Sequence, residues 1–152
     1  MSAYKKIQCE IVDKSFLLEA LSLLGLQPEL HDTPQNLKGY LNDVRREKAE
    51  IIVPKEQLNN KFTKASNDIG FSWNETAKKY DFYCSEYDKA MKMDNKIYQA
   101  YVKVVLENSL AKNGYKIKVN IADEDFLKNH LIFLLVQCLL LISCVGFCNH
   151  LN

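Results

Sequence analysis

The chain has 152 residues and a mass of 17.6 kDa, which is the size of one domain with a useful hydrophobic core. Hydrophobic residues make up 47% of the chain and charged residues 26%, a balance that excludes wholesale disorder. The formal net charge of +1 removes the usual electrostatic reason to expect a nucleic acid as partner. Five scattered cysteines and the lack of a signal sequence within residues 1–12 lead us to expect reduced thiols in a reducing compartment.

The N-terminal residues predict a strand followed by a helix. Apolar and polar residues alternate over Tyr4–Val12, which is typical of a half-buried strand. Asp13 is a good N-cap, and apolar residues at helical spacing then run to Leu24. Gly25 stands where a helix commonly ends in the left-handed conformation.

The next segment mixes short elements with turns. We expect a short strand over Pro28–His31 and a turn over Asp32–Asn36, because Pro34 interrupts the pattern. The β-branched run Ala49–Val53 predicts a strand. Gln57–Asn67 is polar and is predicted to be loop.

A β-hairpin is predicted over Asp68–Ser85. Two groups of large residues alternate with smaller or polar ones on either side of a polar gap, and a period of two sends each group to one face of a strand. These large residues are Ile69, Phe71, Trp73, Tyr80, Phe82 and Cys84.

A long helix is predicted from about Tyr87 to Asn113, and an alternating strand over Tyr115–Ile121. Strands clustered between two main helices favour an α+β fold, a mostly antiparallel sheet with both helices packed on one face. We expect this domain to cover residues 1–121.

The tail divides into an acidic, amphipathic linker at 122–130 and an uncharged stretch at Leu131–Cys148. As a helix the latter would be ~27 Å long, slightly under a ~30 Å hydrocarbon core. Three interpretations stay open: a membrane tail anchor, a buried core helix, or an apolar extension that the mature protein does not keep.

Several groups of residues are candidates for chemical sites. Cys84 with His31 would make a nucleophile and base, but Cys84 shares the hairpin's core alternation. Cys144, Cys148 and His150 lack the remaining ligands of a zinc site. We therefore assign no catalytic, cofactor-binding or metal-binding residue.

Acidic and basic residues around the hairpin allow two weaker interpretations. The carboxylates near the hairpin could serve as a pair in acid–base catalysis. They are Asp68, Asp81, Glu86 and Asp88. Asp is, however, also common in turns for structural reasons. Lysines with neighbouring tyrosines could bind single-stranded nucleic acid. They are Lys5, Lys6, Lys78 and Lys79. Lys is, however, also common at the edge of a sheet, where it prevents pairing with another strand.

The chain resembles a known family at the block Asn67–Asn74, which reads Asn-Asp-Ile-Gly-Phe-Ser-Trp-Asn. It is similar to the hypothetical chloroplast reading-frame proteins numbered thirty-five, a domain of unknown function from plastids and cyanobacteria. Weaker matches extend the resemblance over Met1–Ile121: Met1-Ser2-x-Tyr4 with Ile7, Asp13-Lys14-Ser15, Gly39-Tyr40, Ala49–Val53 and Asn113-Gly114-Tyr115.

The resemblance implies a plastid location, stromal or membrane-tethered, and brings no catalytic residue. Ala3 replaces a His that members often carry, and residues 126–152 lie outside the family pattern.

We expect a non-enzymatic interaction or regulatory module with a protein partner, no nucleic acid, and a membrane contact through Leu131–Cys148 if that segment inserts. The alternative is a small-ligand-binding protein or an enzyme that uses the carboxylates and tyrosines beside the hairpin. This alternative predicts a concave pocket that contains Asp81 or Asp68 with a shifted pKa.

Overall fold

The computed structural model describes residues 3–7, 9–62 and 65–112. Within them, five strands form one antiparallel sheet of order β1-β5-β4-β3-β2, with helices packed on it. The predicted α+β class is confirmed. The elements are β1 Tyr4–Ile7, α1 Lys14–Leu23, β2 Glu29–Lys38, β3 Val44–Val53, α2 Lys55–Lys61, β4 Ile69–Asn74, β5 Lys79–Ser85, α3 Glu86–Ala90 and α4 Met93–Lys112.

The strand–helix start of the chain is confirmed, with a shorter strand than expected. β1 ends at Ile7, although Cys9 and Ile11 beyond it are still buried. Asp13 caps α1, because its Oδ1 accepts hydrogen bonds from the backbone N–H groups of Ser15 at 2.8 Å and Phe16 at 3.1 Å. Gly25 follows the helix with a φ of 71°, the left-handed conformation in which glycine meets little strain.

The predicted hairpin is the centre of the sheet. Phe71 pairs with Phe82 and Trp73 with Tyr80 across β4 and β5, so their side chains share one face. The rings of Phe71 and Phe82 stack with centroids 4.6 Å apart, and both residues are fully buried. This pair therefore forms the middle of the main core.

The prediction for the second strand was wrong in extent. β2 runs over Glu29–Lys38 and passes through the expected turn at Asp32–Asn36. Because β2 is an edge strand, the missing N–H of Pro34 need not break a ladder bond. Two register shifts against β3 absorb the irregularity.

The loop predicted over Gln57–Asn67 is also wrong in part, since α2 occupies Lys55–Lys61. Pro54 precedes the helix, where its fixed φ is compatible with a helix start. Leu58 is its one fully buried apolar residue. A single apolar anchor gives no period that sequence reasoning could recognise.

The long helix predicted from Tyr87 is two helices. α3 and α4 are separated at Met91 and Lys92, where Lys92 has a φ of 58°, which an α-helix does not accept. α4 packs against α1, and the Tyr101 hydroxyl accepts hydrogen bonds from the backbone N–H groups of Val12 and Asp13 at 3.1 and 3.2 Å.

The predictions for the end of the chain concern residues that the structure does not describe. The expected strand Tyr115–Ile121, the linker at 122–130 and the apolar stretch Leu131–Cys148 all lie outside the described residues. Among the helices that the structure does describe, none combines the length and apolarity needed to cross a membrane.

Candidate functional site

The carboxylates named from the sequence do not converge on one site. Asp68 lies just before β4 and is buried against the end of β2, where its carboxylate accepts hydrogen bonds from the backbone N–H groups of Lys38 at 2.9 Å and Lys55 at 3.0 Å. Burial raises the pKa of this carboxyl, and the two N–H donors oppose the rise. Asp68 therefore joins β2 to the start of α2 and is occupied by the fold itself.

Asp88 is also committed to the fold. Its fully buried carboxylate accepts hydrogen bonds from the Ser85 hydroxyl at 2.6 Å and from the backbone N–H of Ser66 at 2.8 Å. Asn67 N–H lies 3.3 Å from the same carboxylate. The network links the end of β5 to the segment before β4, so its role is structural.

Asp81 differs because one of its oxygens is left over. Oδ2 accepts hydrogen bonds from Lys6 Nζ at 2.6 Å and from Asn74 Nδ2 at 3.1 Å. Oδ1 is buried and has no hydrogen-bond partner within the described part of the chain. Since a buried carboxylate oxygen normally has a donor, this atom marks a candidate binding position.

Asp81 lies in a cavity of about 260 Å³. The residues lining it come from the end of β1, the segment just after it and the start of β5: Lys6, Ile7, Cys9, Lys79, Tyr80 and Asp81. Of the two aspartates expected in a pocket, Asp81 is found in one, whereas Asp68 is held by backbone donors.

The cavity lies between β5 and the segment that follows β1. Ile7 and Phe82 form the last described pair of the β1–β5 ladder. Further along, Tyr80 N–H donates a hydrogen bond to the Ile11 carbonyl at 2.7 Å. Cys9, between these two contacts in the chain, lines the cavity together with Tyr80 and Asp81.

The Cys9 thiol at the cavity is neutral at physiological pH. Burial, as the largest cause, raises its pKa to about 11, against the opposing effect of Lys79. A protonated thiol is a poor nucleophile. The cavity is therefore suited to binding and not to cysteine chemistry.

The fold does not bring Cys84 and His31 together. β5, which carries Cys84, and β2, which carries His31, are separated by β4 and β3. Three strand spacings of about 4.8 Å put the two strands roughly 14 Å apart. Burial also raises the pKa of the Cys84 thiol.

The lysines named as a basic surface are each paired with a carboxylate. The Lys5–Glu86 and Lys6–Asp81 pairs are 2.8 and 2.6 Å long. Lys78–Glu75 and Lys79–Glu10 measure 2.9 and 2.7 Å. These acids cancel the charge that a phosphate backbone would need.

No group of metal-binding side chains occurs among the described residues. Cys144, Cys148 and His150 lie outside them, so the interpretation of those residues is untested.

A second surface was not recognised from the sequence. The turn between β2 and β3 carries Tyr40, Leu41 and Val44, which are 65%, 80% and 76% exposed. We call these three residues the ribbon tip. Large apolar side chains exposed so close together on one turn indicate an interaction surface.

The ribbon tip is held in place by a buried lysine. Lys55 is 8% exposed, and its Nζ donates hydrogen bonds to the carbonyls of Gly39 and Tyr40, both at 2.8 Å. The turn closes on itself where Asn42 N–H donates to the Gly39 carbonyl and Gly39 N–H to the Asp43 carbonyl. No sequence signal marks Lys55, because Lys is normally a surface residue.

A family model described as a protein of unknown function (DUF1257) matches residues 20–127, more than half of the chain. The match includes the ribbon tip, Asp81 and Lys79, and it begins after Lys6 and Cys9. No curated protein and no solved structure matches the chain. The chain belongs to the DUF1257 family of proteins of unknown function.

Proposed function

We propose that this protein is a non-enzymatic interaction module that binds a protein partner through its ribbon tip. The observation that carries the proposal is the exposure of Tyr40, Leu41 and Val44 on a turn that Lys55 holds in place. A turn that is already ordered loses little conformational entropy on binding, so more of its contact energy contributes to affinity.

The charges beside the ribbon tip indicate the chemistry of the partner. Lys38, Arg46 and Lys48 are exposed on the same two strands, and Lys38 pairs directly with Val44. The complementary surface is an apolar pocket with acidic residues at its rim.

A second copy of the chain fits this surface poorly. In a two-fold symmetric contact the same patch meets itself, so Arg46 and Lys48 would approach Arg46 and Lys48 of the other copy. Like charges at an interface are repulsive. We therefore assign the ribbon tip to a different protein.

The test compares two exposed leucines of the same strand pair. Leu41→Ser removes the apolar group at the tip, and Leu30→Ser is the control, since Leu30 is 52% exposed on β2 away from the turn. Once a partner is captured and purified, we expect its affinity to fall about tenfold or more for Leu41→Ser. Equal affinities for both variants, or concentration-dependent dimers of the protein alone, would contradict the proposal.

Small-ligand binding is a second candidate function. It is favoured by the unpartnered Oδ1 of Asp81 in the cavity beside β1. The neutral Cys9 thiol and the structural commitment of Asp68 and Asp88 favour binding over catalysis at that place.

For location, we propose that the protein acts in the plastid, either in the stroma or tethered to a membrane through Leu131–Cys148. The support is the resemblance of Asn67–Asn74 to the plastid reading-frame proteins numbered thirty-five. Recovery of the protein from intact purified plastids is the expected result, and its exclusion from them would contradict the proposal.

Membrane tethering needs its own measurement. Mass spectrometry first establishes whether the mature chain contains Leu131–Asn152. A tethered protein then stays with the membranes during alkaline carbonate washing, whereas release into the wash would contradict insertion.

A further inference from the structure

We infer that the cavity beside β1 binds a small zwitterion, of which a free α-amino acid is the simplest example. The inference rests on the ligand-binding candidate above and is independent of the ribbon tip. It specifies the class of ligand from three properties of the cavity: the unsatisfied atom, the balance of charges and the size.

The unsatisfied atom requires a donor. Asp81 is only 9% exposed, and its Oδ1 has no partner within the described residues, whereas Oδ2 already accepts hydrogen bonds from Lys6 and Asn74. A buried acceptor without a donor costs free energy. An ammonium group of a ligand would supply a charge-assisted hydrogen bond to this oxygen.

The other charges exclude a ligand that is only a cation. Lys6 and Lys79 also line the cavity, paired with Asp81 and Glu10, so the four formal charges cancel. An added cation would stand beside two ammonium groups, and an added anion beside two carboxylates. A zwitterion can place its ammonium group at Asp81 and its carboxylate at the lysines, so the charges around the cavity still sum to zero.

The size fits a small molecule. A cavity of about 150 Å³ is known to hold benzene, which has six non-hydrogen atoms. The volume of about 260 Å³ found here scales to about ten such atoms. Ile7 and the Tyr80 ring supply apolar lining, so an amino acid with a medium-sized apolar side chain is the best match.

The test uses isothermal titration calorimetry on the full-length protein with the free L-amino acids one at a time. For each binder, two analogues separate the charges: the amine without the carboxylate and the acid without the amino group. For L-leucine these are isoamylamine and 4-methylpentanoic acid. We expect saturable binding of at least one amino acid and about tenfold or greater loss for both analogues.

Lys79→Gln and Lys78→Gln are a matched pair of variants. Both lysines form a short ion pair with a glutamate, but only Lys79 lines the cavity. We expect the affinity to fall for Lys79→Gln and to be unchanged for Lys78→Gln. Asp81→Asn should weaken binding about tenfold, with the circular dichroism spectrum as a check that this variant folds.

Three results would overturn the inference: no saturable binding by any amino acid, an amine or acid alone that binds as tightly as its amino acid, or equal affinities of the two lysine variants. None of these results affects the ribbon tip. If both Leu41→Ser and Leu30→Ser retain full amino-acid binding, the two functions are separable.

Discussion

Three buried aspartates show how the same side chain takes different roles according to its hydrogen-bond donors. The Asp68 carboxylate accepts hydrogen bonds from two backbone N–H groups. The Asp88 carboxylate accepts hydrogen bonds from a backbone N–H group and from a serine hydroxyl. Asp81 is left with one oxygen that lacks a partner among the described residues. Of these three aspartates, Asp81 alone has an oxygen left for a ligand, and the other two should act on stability; the buried Asp94 also has an unpartnered Oδ1 among the described residues, but it does not line the cavity.

Replacement of Asp88 should be among the most damaging single changes. Asp88→Ala leaves the buried donors of Ser66, Asn67 and Ser85 without this acceptor, and one unsatisfied buried donor costs about 1–3 kcal/mol. We expect a loss of at least about 3 kcal/mol in the free energy of unfolding, measured by urea denaturation.

Glu86→Ala is the control for that experiment, because Glu86 is exposed and its ion pair with Lys5 is at the surface. A surface pair contributes about 0–1 kcal/mol. Comparable losses in the two variants would contradict the structural role of Asp88.

Asp68 gives a pH dependence of defined sign. Burial raises its pKa, so the folded protein keeps this proton at pH values where the unfolded chain has released it. The contribution to stability is largest below the unfolded pKa of about 3.9 and falls as pH rises through the folded value.

Asp68→Asn removes this titration. We expect the wild type to lose free energy of unfolding relative to Asp68→Asn as the pH rises from about 3 to about 7, measured by urea denaturation at each pH. A difference between the two proteins that stays constant or moves the opposite way would show that the folded pKa is not raised.

At the scale of elements, close packing on the second face of the sheet depends on one glycine. A Cβ at Gly70 would stand 2.8 Å from Ala49 Cβ and from both δ-methyl groups of Leu37. Leu37, Ala49 and Ile52 form a buried cluster against Tyr4 and Tyr83. Gly70 in β4 thus leaves room for the side chains of Leu37 from β2 and Ala49 from β3 to pack over this face of the sheet.

Gly70→Ala should therefore overpack this cluster and cost about 1–3 kcal/mol in the free energy of unfolding. Leu37→Val combined with Gly70→Ala should recover part of that loss, because the clashing δ-methyl groups are removed. Thermal denaturation measures both variants. A stabilised Gly70→Ala protein would contradict the contact.

The lysine beneath the ribbon tip gives a test of preorganisation. Lys55→Met keeps the apolar length of the side chain and removes both hydrogen bonds to the Gly39 and Tyr40 carbonyls. We expect a loss of about 1.5–3 kcal/mol in the free energy of unfolding and faster amide hydrogen exchange at Gly39 and Asn42. Lys48→Met, at an exposed position of β3, is the control and should show neither effect.

The elements that the sequence predicted correctly are those whose structure is determined by residues close together in the chain. The alternation of Phe71, Trp73 and their partners and the cap at Asp13 depend on a few neighbouring residues. Pro34 was misjudged because its place in a strand depends on β2 lying at the sheet edge. α2 was missed because its order depends on the burial of Leu58, a tertiary effect that no short window contains.

The candidate sites were less predictable for the same reason. Asp81 was named from its position near the hairpin, but the cavity also needs Lys6, Ile7 and Cys9 beside β5, and sequence spacing does not show which segment lies beside β5. The ribbon tip needed both the course of β2 and the buried position of Lys55.

At the scale of the whole molecule, the described residues form a sheet and helices that carry two separate candidate surfaces. The cavity lies beside β1 and β5, and the ribbon tip lies at the turn of β2 and β3, the strands at the opposite side of the sheet order. Binding at one surface therefore does not occupy the other.

Contact between the ribbon tip and a protein partner can be tested on the whole chain. The most direct measurement is site-specific photo-crosslinking from position 41 in extract of the organism of origin, with position 30 as the control, followed by mass spectrometric mapping of the linked peptides. We expect one discrete adduct from position 41 only, on a partner segment that contains apolar residues with neighbouring Asp or Glu. No adduct above the control, or the same adducts from both positions, would contradict it.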